Sequence, residues 1–267
     1  MTARLGPLGH ATGYPDRYDP SLLFPVSRTP QRTAIGIGDP LPFTGADVWT
    51  AYEHTWLDGR GKPCVAMLSL VVPVDSPFIV ESKSVKLYLG SFAQTRFDDA
   101  AQVVDTIERD LSMAAGAGVT ATVLRDARIE PMTGESIDGA DILVDRYDLD
   151  PTLLHAHGPT VSETLRTDLF RSVCPVTGQP DYASIAVAYR GPRIDRAGLL
   201  RYIVSYRLHA GFHEHCAERM FVDLVARCAC EALTVHARFT RRGGLDINPF
   251  RTNAGVDVPA NVRTERQ

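Results

Sequence analysis

One order of elements occurs twice along this chain of 267 residues, and that recurrence leaves few folds open. In the first half Val48, Tyr52 and Trp56 fall on one side of an alternating run, with Trp49 on the other. Asp58-Gly59 follows as a hairpin signal, and Cys64 to Val72 is a dense apolar strand. Val85, Tyr88, Leu89 and Phe92 then recur at i, i+3, i+4 and i+7, which predicts a helix opened by Glu81-Ser82-Lys83-Ser84. A second helix is predicted from Asp98 to Ala114, with Ala100, Val103, Val104, Ile107 and Leu111 on one face. Val119–Leu124 and Ile142–Tyr147 read as strands, so the half reads ββααββ.

The second half repeats that order. Val161, Leu165 and Leu169 share a strand face, and Ala183, Ile185, Val187 and Tyr189 alternate in the next strand. Leu199, Leu200, Ile203, Val204 and Tyr206 form a helical stripe, and Phe212 to Cys228 is a second helix. Leu233, Val235, Ala237 and Phe239 form a strand, after which Arg241-Arg242-Gly243-Gly244 leads into a polar tail. A repeated order of this kind marks a duplicated unit. The expected domains are an extended arm over 1–47, held by Leu22, Leu23 and Phe24, a module over 48–150 and a module over 151–267. Gly36-x-Gly38 lacks a third glycine and a following helix, so it is a turn and not a dinucleotide fingerprint.

Charge and cysteine usage narrow the function classes. The net charge is −4 with no basic run, which argues against a duplex nucleic-acid binder. Met1 to Phe24 shows no unbroken apolar core behind a charged start, so no secretory signal is expected, and no apolar run approaches a membrane span. Cys64, Cys174, Cys216, Cys228 and Cys230 are odd in number and lack the spacing of a disulfide scaffold. A reducing, cytoplasmic setting is expected.

Four segments are candidates for chemistry. Cys174-Pro175-Val176-Thr177-Gly178-Gln179-Pro180-Asp181 places a thiol and a carboxylate in a stiff loop that two prolines and a glycine keep out of helix. There Cys174 would be a nucleophile and Asp181 a proton donor, and the competing reading is a buried, inert thiol beside an ordinary turn. Phe212-His213-Glu214-His215-Cys216 opens a helix and is open to three readings. It is an acid/base and substrate-reading pair in His213 and Glu214, a zinc set of His213, Cys216 and Cys228 or Cys230, or a solvated helix start. Glu81-Ser82-Lys83-Ser84 offers helix-start N–H groups, a lysine and two hydroxyls to an anion, or is simply a capped helix. Arg241-Arg242-Gly243-Gly244 is a phosphate clamp or a solvated strand end.

Taken together these segments resemble one family. The cysteine loop, Glu81-Ser-Lys-Ser-Val-Lys-Leu-Tyr-Leu-Gly-Ser-Phe92, Phe212-His-Glu214 and Arg241-Arg-Gly-Gly-Leu-Asp-Ile-Asn-Pro249 look like the NADPH-dependent 7-cyano-7-deazaguanine reductases of queuosine biosynthesis. Tyr18-Asp-Pro-Ser-Leu-Leu23 and Asp47-Val-Trp-Thr50 extend the match over nearly the whole chain, and the order of the segments resembles the long bimodular branch. The resemblance implies an α+β protein of two tandem tunnelling-fold modules, each an antiparallel ββααββ sheet with two helices on one face, paired into a homodimer. It implies a Cys174 thioimide, protonation by Asp181 and assistance from His213. It implies that Glu81 and Glu214 hold the N–H edge of the deazaguanine with Val80 and Ser82 close by. Ser82, Lys83, Arg242 and Gly243 would contact NADPH, two molecules of it per product, with no metal, no nucleic-acid partner and no membrane. Cys216, Cys228 and Cys230 stand outside this pattern and read as packing. Two alternatives remain at this point: a zinc-dependent pterin or purine hydrolase on the same fold, and a non-enzymatic purine-binding or tRNA-associated module.

Overall fold

A computed structural model describes residues 13–125 and 128–267. The first twelve residues, which belong to the expected arm and to the stretch read for a signal, lie outside the described residues. In chain order the elements are β1 (Pro25–Ser27), α1 (Thr29–Ala34), β2 (Thr44–Leu57), β3 (Pro63–Pro73), β4 (Phe78–Val80), α2 (Ser82–Gly90), α3 (Ala100–Ala115), β5 (Thr120–Leu124), β6 (Glu135–Ser136), β7 (Ala156–Val173), β8 (Pro180–Ile194), α4 (Arg196–Val204), α5 (His213–Cys228), β9 (Ala232–Phe239) and β10 (Leu245–Thr252). Among the described residues no helix is long and apolar enough to cross a membrane.

The chain forms two compact units. Among the described residues one comprises 13–30, 48–125 and 241–246, and the other 31–47, 128–240 and 247–267. In the first unit the strands run β5-β3-β2, and the short β1 pairs antiparallel with β4. Val103, Ile107 and Leu111 of α3 are buried, so the helix presents the apolar stripe that its periodicity predicts. Asp99 caps its start and Gly116 ends it in the left-handed conformation, the signals expected at the two ends of a helix. In the second unit the order is β10-β9-β8-β7-β6, antiparallel except for the two-residue parallel pairing of β6 with β7.

The two units repeat each other's internal bonding. Asp19 accepts a hydrogen bond from the Ser21 amide at 2.9 Å, and Asp150 accepts one from Thr152 at 2.9 Å. Tyr88 donates to Asp110 and Tyr202 donates to Asp223, each at 2.8 Å. Leu57 N–H bonds to the Thr95 carbonyl, as Val173 N–H does to that of His209. Asp58 then closes a hairpin on the Lys62 carbonyl at 2.9 Å, and Cys174 closes one on the Gln179 carbonyl at 2.9 Å. The duplication is therefore written in backbone bonds where side-chain identity has diverged.

Four expectations need correcting. Ile142–Tyr147 is not a strand. Leu143 is 82% exposed and Tyr147 41%, so the run has no buried face to hold it in a sheet. Leu169 does not share a face with Leu165: a bulge between Thr167 and Phe170 switches the alternation, leaving Leu169 44% exposed and Phe170 fully buried. The segment after Gly244 is not a polar tail, because Leu245–Thr252 is a strand with all eight residues buried. Its arginine, Arg251, is neutralised by Asp47 at 2.7 Å and Glu218 at 3.0 Å, and Arg32 adds a second cation on Glu218 at 2.7 Å. The arm is not merely extended, since β1, α1 and the start of β2 lie within it.

Candidate active site

The β7–β8 hairpin sets the geometry of the cysteine loop. Cys174 follows the last residue of β7, its N–H bonds to the Gln179 carbonyl at 2.9 Å, and its carbonyl accepts from Gly178 N–H at 3.0 Å. Gly178 has φ +68°, a conformation that favours glycine, so the tight closure and the glycine go together. The bulge at Thr167–Phe170 gives Phe170, Ser172 and Cys174 a common buried face. Without that one-residue slip Cys174 would turn to the opposite side of the sheet. Ser172 stands opposite Asp181, so Cys174 is diagonal to Asp181 on the same face. Cys174 is 8% exposed and Asp181 4%.

Helix α5 starts over this face. His213 Nε2 lies 3.3 Å from Asp181 Oδ1. Its ring stacks on Phe239 of β9 with centroids 3.8 Å apart and planes 8° from parallel. Glu214, in the first turn of α5, is 3% exposed. A buried carboxylate at this position is favoured by the helix N-terminus and needs hydrogen-bond donors from a partner or a ligand. The segment Phe212–Cys216 is therefore not a solvated helix start. Cys216 is buried against Ser172, and burial pushes its thiol up to about 12, with the Asp181 and Glu214 carboxyl groups adding to the effect. It stays a thiol at neutral pH and packs behind the pair.

The zinc reading fails on distance. Cys216 and Cys228 are twelve residues apart in one helix. At a rise of about 1.5 Å per residue they stand about 18 Å apart and cannot share an ion. Among the described residues no three His, Cys, Asp or Glu side chains gather as a metal set. Burial raises Cys228 to about 12 and Cys230 to about 11, as befits packed thiols.

The first unit holds the other candidate residues. Val80 ends β4 at 4% exposure and Glu81 follows at 1%. The Glu81 carboxylate caps α2, accepting Lys83 N–H at 2.6 Å and Ser84 N–H at 2.9 Å. Those amides are therefore engaged, and the expectation of free helix-start N–H groups for an anion is not met. Burial raises the Glu81 carboxyl above its ordinary value, against the pull of those two amides. The Phe24 backbone braces the corner, accepting Glu81 N–H at 2.9 Å and donating to Ser84 Oγ at 3.0 Å. Ser82 and Lys83 are half-buried in the first turn.

In the same unit Arg242 and Gly243 form a turn closed by the Arg242 N–H to Leu245 carbonyl bond at 2.8 Å. Gly243 has φ +59°, and a Cβ there would come within 3.3 Å of the Lys86 stem. Tyr52 underlies the turn, with Arg241 over its ring at 4.6 Å and its hydroxyl donating to Asp246 at 2.5 Å. Lys86 is three residues after Lys83, so both ammonium groups leave one helix face. Two residues that no sequence motif singles out for a role stand beside these candidates: Lys86 against Gly243 and Phe239 against His213. The helical spacing of Lys86 from Lys83 was the available signal; nothing local marked Phe239.

The repeated bonding also shows what the first unit lacks. Asp58 occupies the place of Cys174, and Cys64 that of Asp181, two residues after the closing carbonyl. Ala100 opens α3 where His213 opens α5. Among the described residues this repeat position carries the constellation of thiol, carboxyl and imidazole in the second unit and not in the first.

Comparison with known proteins identifies the family. Residues 14–123 match the family model described as nitrile reductase, 7-cyano-7-deazaguanine-reductase N-term, and residues 180–256 match the one described as QueF-like protein. An NADPH-dependent 7-cyano-7-deazaguanine reductase of Bordetella avium (strain 197N) is 53% identical over 98% of this chain and 98% of its own length. Its counterpart in Burkholderia pseudomallei (strain 1106a) is 54% identical over 100% of both chains, and that of Paraburkholderia xenovorans (strain LB400) is 53% identical over 100% of both. The chain belongs to the NADPH-dependent 7-cyano-7-deazaguanine reductase family.

Proposed function

We propose that this protein reduces the nitrile of 7-cyano-7-deazaguanine to the primary amine, in the queuosine modification of tRNA, with Cys174 as nucleophile. The observation that carries the assignment is a closed hairpin that presents Cys174 diagonal to a buried Asp181, itself paired with His213 at 3.3 Å. Cys174 Sγ bonds to the nitrile carbon, one C≡N π bond breaks, and Asp181 delivers the thiol's proton to nitrogen, giving a thioimide. Bound NADPH supplies one hydride, so two molecules and two protons take the nitrile to the amine. After the first hydride reaches the carbon, the C–S bond breaks and the electron pair returns to Cys174, leaving an imine. The second protonation passes through His213 as the imine becomes the amine. Glu214 and Glu81 accept the N–H edge of the deazaguanine, with Val80 and Ser82 beside it.

The residues present suit a polyphosphate-bearing cofactor. Lys83 and Lys86 share a helix face, and the Lys86 stem lies against the bare backbone of Gly243. Ser82, Lys83, Arg242 and Gly243 would hold it. The functional modules are 48–150 and 151–267, with 1–47 as an arm, and the protein works as a cytoplasmic homodimer without a metal or a nucleic-acid partner. Intact mass of the protein incubated with the nitrile tests the assignment. The wild-type chain gains the full mass of the nitrile, and Cys174→Ala gains none while still binding it. An adduct on Cys174→Ala, or undiminished NADPH oxidation by that variant, contradicts it.

A further inference from the structure

His213 is fixed by little that is polar. Among the described residues its one polar contact is with Asp181, Nε2 to Oδ1 at 3.3 Å. Its Nδ1 is buried without a partner. An imidazole held at one edge by one polar contact is free to turn about its Cβ–Cγ bond. The stack on Phe239 removes that freedom, because at 3.8 Å and 8° any such turn drives the ring edge into the phenyl face.

Phe239 is itself immobilised. It is 1% exposed, and it meets Phe170 edge to face at 5.6 Å and 85°. Ala183 stands between them in the sheet, opposite Phe170 on one side and Phe239 on the other. A methyl group there lets the two phenyl rings meet above it. The Phe239 carbonyl accepts from Gln267 Nε2 at 2.9 Å, which secures the end of β9.

We infer that Phe239 is a positioning residue for His213, holding the imidazole plane so that Nε2 stays on Asp181 through the proton transfers. This inference rests on the proposed catalytic reading, and its test separates the two. Turnover and covalent adduct are measured for the parent, Phe239→Leu, Phe239→Tyr and Phe170→Leu, with the imidazole C–H signals followed by NMR in histidine-labelled protein. Phe239→Leu is expected to lower kcat about tenfold or more, by misplacing one proton-transfer group, with KM within about twofold. It still forms the full Cys174 adduct, and the His213 signal loses its upfield ring-current shift. Phe239→Tyr, which keeps the ring, restores kcat to within about twofold and keeps that shift. Phe170→Leu truncates the same cluster without touching the stack and retains the parental kcat. Parental kcat in Phe239→Leu, an unshifted His213 signal in the parent, no recovery in Phe239→Tyr, or an equal loss in Phe170→Leu each overturns the inference. A parent protein that forms no adduct overturns the reading beneath it instead.

Discussion

His54 sits in the first unit at 2% exposure, and neither of its ring nitrogens has a hydrogen-bond partner among the described residues. Its ring meets Phe92 at 4.9 Å, just as Phe170, three residues before Val173 in the repeat, meets Tyr206 at 5.3 Å. The duplicated unit thus carries a phenylalanine where this one carries an orphaned imidazole. Burial lowers the His54 pKa from 6.5 to about 4. Below pH 6.5 the unfolded chain therefore binds a proton that the folded chain refuses until about pH 4. Stability is lost as pH falls through that window, and the group costs nothing of this kind above it. The gap of 6.5 − 4 = 2.5 pH units, at about 1.36 kcal/mol each, sets a ceiling of about 3 kcal/mol.

At pH 4.5 the same linkage gives about 2.5 kcal/mol, and at pH 7.5 less than about 0.1 kcal/mol. His54→Phe should therefore gain about 2.5 kcal/mol more at pH 4.5 than at pH 7.5. Any overpacking by the larger ring is the same at both pH values and cancels. The chain's 2 tryptophans, Trp49 and Trp56, both lie in the first unit, so urea unfolding followed by their fluorescence reports the right region. A gain that is the same at both pH values would refute the reasoning.

Arg251→Met should destabilise the second unit by about 3–5 kcal/mol, because it removes the guanidinium that meets the buried Asp47 carboxylate at 2.7 Å and that of Glu218 at 3.0 Å. Adding Asp47→Asn should recover part of that loss in the same denaturation experiment. Gly45→Ala should be worse tolerated than any other single methyl addition tried in β2. Gly45 has φ +134°, and its Cβ would stand 2.0 Å from the Phe250 carbonyl oxygen, so a loss of about 3 kcal/mol or more is expected in thermal melts. At pH 7.5 a small maleimide should leave Cys216 unlabelled in the folded protein, since the thiol is 1% exposed and held near 12. Peptide mapping after labelling checks this.

Much of the fold was legible because it depends on local patterning. The stripe Val103, Ile107, Leu111 and the alternation Ala183, Ile185, Val187, Tyr189 need only the periods of a helix and a strand, and both are buried as predicted. What was illegible depends on partners distant in sequence. Strand β10 looked polar because Arg251 and Asp246 read as surface charges. Their partners Asp47, Glu218 and Tyr52 lie far away in the chain. The bulge before Phe170 has no glycine or proline to announce it, so Leu169 was placed on the wrong face. The site divides in the same way. Cys174 and Asp181 fall in one motif, and the hairpin register sets their relation. The His213 stack on Phe239 joins a helix start to a strand end, and no spacing rule connects those positions.

The most direct test of the account is the count of NADPH oxidised per molecule of amine formed when the wild-type protein is given 7-cyano-7-deazaguanine. NADPH loss is followed by absorbance and the amine is quantified by mass spectrometry. The account predicts two NADPH per amine, with no oxidation by Cys174→Ala. One NADPH per product released, or oxidation that survives the loss of Cys174, would contradict a four-electron reduction through a thioimide.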